Sequence, residues 1–284
     1  MAKQLSPVAI LGPGLIGGSL GLALQRLCPD VEIRVWARRD AALEAVRALG
    51  FARIADTNVG TVVAGARTVV LCTPVETMAG LSQQILDSLD PAAAVTDAGS
   101  VKNTVVPECE AILGGRFVGA HPIAGSDRAG IDAAHADLFE NATCVLTPTS
   151  HTDPAALETV RTLWKSVGCS LVEMSAESHD AALARTSHLP HAAAAALASV
   201  VAREVAGWQS LAGGGYRDST RIAMGNPDLW TGILMANRAE VSTSIAEFIE
   251  ILQNIRSALE AGDGEAVHAL LAQGRDARHQ LDVF

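Results

Sequence analysis

His121 stands directly before a proline in the run Gly119-Ala120-His121-Pro122-Ile123-Ala124-Gly125-Ser126. An imidazole titrates close enough to neutrality to exchange a proton with a hydroxyl, so His121 is a candidate general base. A core or surface role is the commoner fate of a lone histidine. This one gains weight from its neighbours. Asp97-Ala98-Gly99-Ser100-Val101-Lys102 and a glycine loop near residue 12 also follow strand-like runs, and ligands bind at the carboxyl ends of the strands in open α/β sheets. Ser187-His188-Leu189-Pro190-His191 sets two imidazoles three residues apart, on one side of a helix. A metal is one reading, but no nearby Asp, Glu, His or Cys completes a ligand set. Hydrogen bonding to a substrate, or helix packing around Pro190, is preferred, and no metal is expected. Arg217 and Arg221 are four apart and share a helix face. One of them could clamp a carboxylate through two parallel bonds. A surface ion pair with Asp218 is the other reading, and the sequence leaves the two open.

The elements that must position these groups fall into two patterns. Residues 7–11 (PVAIL), 31–36, 68–72 (TVVLC), 93–96, 116–120, 143–146 and 169–173 read as short strands. Helical patterns lie between most of them, at about 16–27, 41–49, 78–89, 103–113 and 155–167. That alternation predicts an α/β fold with a doubly wound parallel sheet. Beyond about residue 175 the strand signals stop, and 176–211, 228–259 and 265–281 carry helical periodicity. The expected division is a nucleotide-binding domain over 1–174 and a helical domain over 175–284. The 32-residue pattern at 228–259 is long for a helix within one globule and suggests an intersubunit element.

Gly12-Pro13-Gly14-Leu15-Ile16-Gly17 fits G-x-G-x-x-G, follows a strand and opens a helix, which is the context a dinucleotide site requires. The first glycine allows the turn, the second admits the pyrophosphate, the third lets helix and strand pack, and the helix N-terminus attracts the phosphates. A ligand-free βα turn is the plainer reading. Thr73 and Pro74, where the TVVLC strand stops, are assigned to the same cofactor site. NAD sites commonly carry an acid about 20 residues after the loop, at the end of the second strand. Here that strand ends in Ala37, Arg38 and Arg39. Two guanidiniums suit a 2′-phosphate, so NADP is preferred over NAD. The alternative is a solvated pair with Asp40 or Glu44 as partners.

Composition removes other classes. Lys plus Arg total 21 against 31 for Asp plus Glu, a net charge of −10, which disfavours nucleic acids and anionic membranes as partners. Apolar residues make up 49% of the chain, enough for a sizeable core. The five cysteines (Cys28, Cys72, Cys109, Cys144, Cys169) are scattered, without a CxxC spacing. They read as reduced thiols of a cytoplasmic protein. The glycine-punctuated run up to Leu24 is a poor signal peptide, and no stretch approaches the ~18 uncharged apolar residues a membrane helix needs.

Taken together, GPGLIGGSLGLAL (12–24), CTPV (72–75), DAGSVK (97–102), GAHPIAGSDRAG (119–130), SHLPHA (187–192), RDSTRIA (217–223) and Asn226-Pro227-Asp228-Leu229-Trp230 span most of the chain. The sequence resembles the prephenate/arogenate dehydrogenase family of tyrosine biosynthesis. HPIAGS and SHLPH are far more specific than the glycine loop. The resemblance implies a Rossmann-type domain and an all-helical dimerisation domain, with a small-molecule substrate. It implies that His121 accepts the proton of the substrate's C4 hydroxyl and that Ser100 hydrogen-bonds that hydroxyl and the histidine. Arg221 would bind a substrate carboxylate, His188 and His191 would lie near the substrate, and Asp127 would line the pocket. The helical halves would form a homodimer. Two departures matter. Many members have the aspartate expected for NAD where this chain has Ala37-Arg38-Arg39. Neither a fused chorismate mutase nor an ACT domain is expected, so tyrosine feedback through an ACT domain is not expected. Rival readings are a β-hydroxyacid-type or pyrroline-carboxylate-type reductase, and a non-catalytic NADP(H)-binding sensor.

Overall fold

The computed structural model describes residues 2–126, 128, 130–203 and 211–281. A short helix α1 (Ala2–Leu5) leads into strand β1 (Val8–Leu11), and α2 (Leu15–Leu27), β2 (Ile33–Trp36), α3 (Asp40–Leu49), β3 (Ile54–Asp56), α4 (Val59–Val63) and β4 (Thr68–Leu71) follow. Then come α5 (Val75–Ile85), β5 (Ala94–Asp97), α6 (Val105–Leu113), β6 (Phe117–Pro122), β7 (Thr143–Thr147), α7 (Pro154–Ser166) and β8 (Ser170–Glu173). The remainder is helical: α8 (Ala176–Leu183), α9 (Leu189–Ala202), α10 (Gly214–Thr220), α11 (Pro227–Ala236), α12 (Arg238–Glu260) and α13 (Gly264–Leu281).

The eight strands form one sheet in the order β3-β2-β1-β4-β5-β6-β7-β8. Chain order reverses at β1, the switch point where a doubly wound sheet opens a crevice. All neighbouring strands are parallel except β6 and β7. The central strands β1, β4 and β5 are buried at every position, because helices cover both faces of a parallel sheet. One face packs Leu20, Leu24, Phe139 and Trp164; the other packs Leu11, Met78, Leu81 and Phe117. Burying a side chain of this size stabilises by about 1.5–3 kcal/mol.

Several features depart from the sequence pattern, among them the antiparallel pairing of β6 with β7 in a sheet expected to be parallel. Strand β3 has only three residues, too few for alternation to show. The helical pattern over 176–211 holds a π-helical turn at Ala184–His188, between α8 and α9. The continuous helix expected over 228–259 is broken at Asn237, which leaves helical geometry at φ −108°, ψ 28°. Its side-chain amide donates to the Asp180 carbonyl oxygen at 2.8 Å and reaches His188 Nδ1 at 3.1 Å, tertiary bonds that accompany the break.

The chain divides into two compact units, 1–237 and 238–284. The first holds the sheet and α1–α11. The second is the pair α12 and α13, joined through Gly262 at φ +66°. Among the described residues, no helix is long and apolar enough to cross a membrane.

Candidate functional site

The glycine loop turns from β1 into α2 at the switch point. Gly12 has φ +108°, and a Cβ there would lie 2.7 Å from the Cys72 carbonyl oxygen, with Thr73 also alongside. Any side chain would be both strained and obstructed. A Cβ on Gly17 would meet the Gly12 carbonyl oxygen at 2.2 Å, whereas Gly14 faces open space. No side chain caps α2, and its first turn holds no acid. The earliest backbone bond of the helix runs from Gly18 N–H to Gly14 O, at 2.9 Å. The N–H groups of Leu15 and Ile16 at its open end therefore suit a phosphate. Thr73, half-buried, and Pro74, exposed, follow β4 beside this loop. These residues fit a dinucleotide.

Arg38 and Arg39 are both exposed just beyond β2. Asp40, the partner that would have explained them as a surface pair, instead bonds Arg47 at 2.9 Å. Among the described residues, neither Arg38 nor Arg39 has an ion pair.

His121 sits near the end of β6, partly open at its surface but with most of its ring in the desolvated interior. It belongs to a buried polar cluster. The Asp97 carboxylate, at the end of β5, accepts the N–H groups of Gly99 (2.8 Å) and Ala120 (2.9 Å). It also takes the ammonium of Lys102, which donates in addition to Ala120 O at 2.9 Å. Asp97 and Lys102 are both fully buried, so this pair clamps the backbone one residue before His121. On the other side of the ring, His121 Nδ1 meets His179 Nε2 at 2.9 Å, and His179 Nδ1 meets Asp180 Oδ1 at 2.7 Å. Asp180 also accepts the backbone N–H groups of Lys102 and Asn103, each at 2.8 Å. Desolvation, then Lys102, His179 and His188, hold the pKa of His121 well below the ordinary histidine value. The ring is neutral at physiological pH, as a proton acceptor must be.

His188 is almost wholly buried. Asn237 contacts its Nδ1, while its Nε2 has no hydrogen-bond partner among the described residues. Burial pushes its pKa down to about 4, so with Nδ1 accepting from Asn237, Nε2 carries a free N–H donor. His191 stacks on Trp230 with ring centroids 3.3 Å apart and bonds Ser187 O through Nδ1 at 3.1 Å. Desolvation lowers its pKa, opposed by that bond and assisted by Arg221. Arg221 is exposed just after α10. No ion pair joins Asp218 to Arg217 or Arg221 among the described residues; Arg217 bonds Ala212 O at 3.1 Å.

The arrangement thus links His121, His188, His191 and Arg221 by successive electrostatic influence. Arg221 lines an open groove with Arg217, Asp218 and Met224, and His121 is not in that groove's wall. Ser100 lies half-buried after β5, and its hydroxyl makes no hydrogen bond to His121. Asp127 lies outside the described residues. Sequence reasoning missed His179, Asp180, Asn237 and the Asp97–Lys102 pair. The adjacency of His179 and Asp180 was a readable signal, but their contact with His121 spans 58 residues of chain.

Comparison with known proteins identifies the family. Residues 20–173 match the sequence model of the prephenate dehydrogenase nucleotide-binding domain, and residues 175–273 match that of its dimerization domain. The chain is 34% identical to prephenate dehydrogenase of Bacillus subtilis, over 100% of this chain and 78% of that one. It is 32% identical to cyclohexadienyl dehydrogenase of Zymomonas mobilis, over 96% of this chain and 95% of the other. The crystal structure of prephenate dehydrogenase from Aquifex aeolicus, in complex with hydroxyphenyl propionate and NAD+, superposes with a TM-score of 0.91 at 32% identity, covering 97% of this chain and 98% of that one. With both halves matched and a Rossmann-type sheet carrying the glycine loop, this chain belongs to the prephenate dehydrogenase family.

Proposed function

We propose that this protein is the NAD(P)-dependent dehydrogenase of tyrosine biosynthesis that oxidatively decarboxylates a cyclohexadienyl substrate: prephenate to 4-hydroxyphenylpyruvate, arogenate to tyrosine, or both. The observation that carries the reading is His121, held neutral and immobile at the sheet edge that also carries the dinucleotide loop.

His121 takes the C4 hydroxyl proton, with Ser100 hydrogen-bonding the same hydroxyl. The bound nicotinamide supplies the hydride acceptor for C4. Carbon dioxide then leaves the ring, the ring becomes aromatic, and the new phenolate oxygen takes the proton back from His121. Aromatisation drives the sequence, so the protein has mainly to orient C4 and handle one proton. Arg221 clamps a substrate carboxylate, the free Nε2–H of His188 and the Trp230-stacked ring of His191 border the substrate, and Asp127 lines the pocket. Asp127 or Asp132 would pair with the ammonium that distinguishes arogenate from prephenate.

Gly12, Gly14, Leu15, Ile16, Gly17, Thr73 and Pro74 hold the dinucleotide. The unpaired guanidiniums of Arg38 and Arg39 support NADP over NAD, because both are free to bind a 2′-phosphate. The reaction as written requires no metal. The functional boundary is drawn at 174/175, and the helical half mediates a homodimer. The five unpaired cysteines support a cytoplasmic setting. The test is a two-by-two rate comparison of prephenate or arogenate with NAD or NADP. Turnover of at least one cyclohexadienyl substrate, faster with NADP, is expected. Dinucleotide binding without turnover of either substrate would instead identify a sensor.

A further inference from the structure

We propose that His179 and Asp180 act together as a positioning relay that fixes the tautomer of His121, placing its proton on Nδ1 and its lone pair on Nε2. This rests on the reading of His121 as the base.

The argument starts at the far end. The Asp180 carboxylate accepts Lys102 N–H at Oδ1 and Asn103 N–H at Oδ2, both at 2.8 Å. These two bonds fix its plane at the loop that leads into α6. A carboxylate in that role is an acceptor only, so at 2.7 Å from Oδ1 the Nδ1 atom of His179 must carry a hydrogen. His179 is fully buried. With a single ring proton held on Nδ1 by Asp180, it would offer only a lone pair at Nε2. That atom lies 2.9 Å from His121 Nδ1, which must therefore be the donor. The lone pair of His121 is left on Nε2, the ring nitrogen without a hydrogen-bond partner among the described residues. One further contact holds the relay: the Asp180 carbonyl oxygen accepts from Asn237.

The relay also bears on charge. When the substrate proton arrives at Nε2, the His121 imidazolium keeps its Nδ1–H bond to His179, whose Nδ1 in turn bonds the Asp180 carboxylate. Of the other charged or titratable neighbours, Lys102 and His188 oppose a positive ring, while the Asp97 carboxylate offsets Lys102. Asp180, reached through His179, adds a second negative group to the cluster. No proton has to reach Asp180.

The experiment reads the tautomer directly. Imidazole 15N NMR of the full-length protein near neutral pH is expected to show His121 protonated at Nδ1 and bare at Nε2. Asp180→Asn is expected to reverse or mix that signature. In turnover, His179→Leu should lower kcat by at least about 10-fold, towards the ~10⁴-fold that a wrong tautomer costs a Ser–His–Asp triad, with KM and dinucleotide Kd unmoved. His179→Gln, whose side-chain oxygen still accepts from His121 Nδ1, should recover part of the loss. Thermal melts and dinucleotide binding establish that each variant is folded. A His121 proton on Nε2 in the parent protein would refute the relay, as would His179→Leu with parental kcat. Equal losses in the Leu and Gln variants would show a purely packing role and refute it too. The NMR readout needs no substrate, so it decides the tautomer even if the two-by-two rate comparison rejects the dehydrogenase reading.

Discussion

The surroundings of His121 differ in kind from those of the arginines at 38, 39 and 221. His121 stands amid buried groups: Asp97 and Lys102 fix the backbone beside it, and His179 and Asp180 hold its ring. The three arginines are exposed and, among the described residues, carry no ion pair. A group that must abstract a proton has to be oriented beforehand, because orientation is where much of the barrier is lowered. A group that recognises an anion is better left unpaired, since an internal partner would compete with the ligand. The first region is a matter of fold stability and the second of ligand affinity, and the two should respond to mutation separately.

The largest expected effect tests the buried side. Lys102→Met leaves the Asp97 carboxylate buried without its cation, and should cost about 3–5 kcal/mol of stability, as removal of one partner from a buried pair does. Urea unfolding measures it. A loss no larger than that of a surface substitution would mean the cluster does not hold His121 in place. Arg221→Ala comes next and should leave the melting temperature alone. Losing a charge-assisted hydrogen bond worth about 1.5–3 kcal/mol should raise KM by ~10–100-fold, with kcat little changed. An unchanged KM would place the carboxylate clamp elsewhere. Arg38→Ala combined with Arg39→Ala should raise KM for NADP by at least ~10-fold on the same scale while sparing NAD. Equal effects on both cofactors would assign the pair to general phosphate attraction.

The last comparison is in pH dependence. His121 and His188 both have folded-state pKa values below the ordinary 6.5, that of His188 at about 4. Between those values the unfolded chain binds protons that the folded chain refuses, so stability is complete above pH 6.5 and declines as the pH falls toward 4. His188→Gln should flatten part of that slope in a denaturation series. A parent protein equally stable across the range would argue against buried neutral histidines.

Much of this was legible in the sequence, for identifiable reasons. The glycine spacing, the apolar runs of β1, β4 and β5, and the HPIAGS and SHLPH strings are local patterns, and local patterns are what a sequence displays. The edge strand β3 was too short to register. The break at Asn237 was hidden because its cause is tertiary: the amide is drawn to Asp180 and His188, 57 and 49 residues away. The relay was hidden for the same reason, since no periodicity in α8 announces that His179 faces His121. The antiparallel pairing of β7 with β6 likewise has no local signature.

The central claim is that His121 is the base. Its most direct test is the kcat of His121→Asn with prephenate or arogenate, beside dinucleotide binding by the same variant. General base catalysis is worth ~10²–10⁴-fold, so a loss of at least ~10² in kcat with unaltered NADP(H) affinity is the expected result. A near-parental rate would show that the proton leaves by another route and would contradict the account.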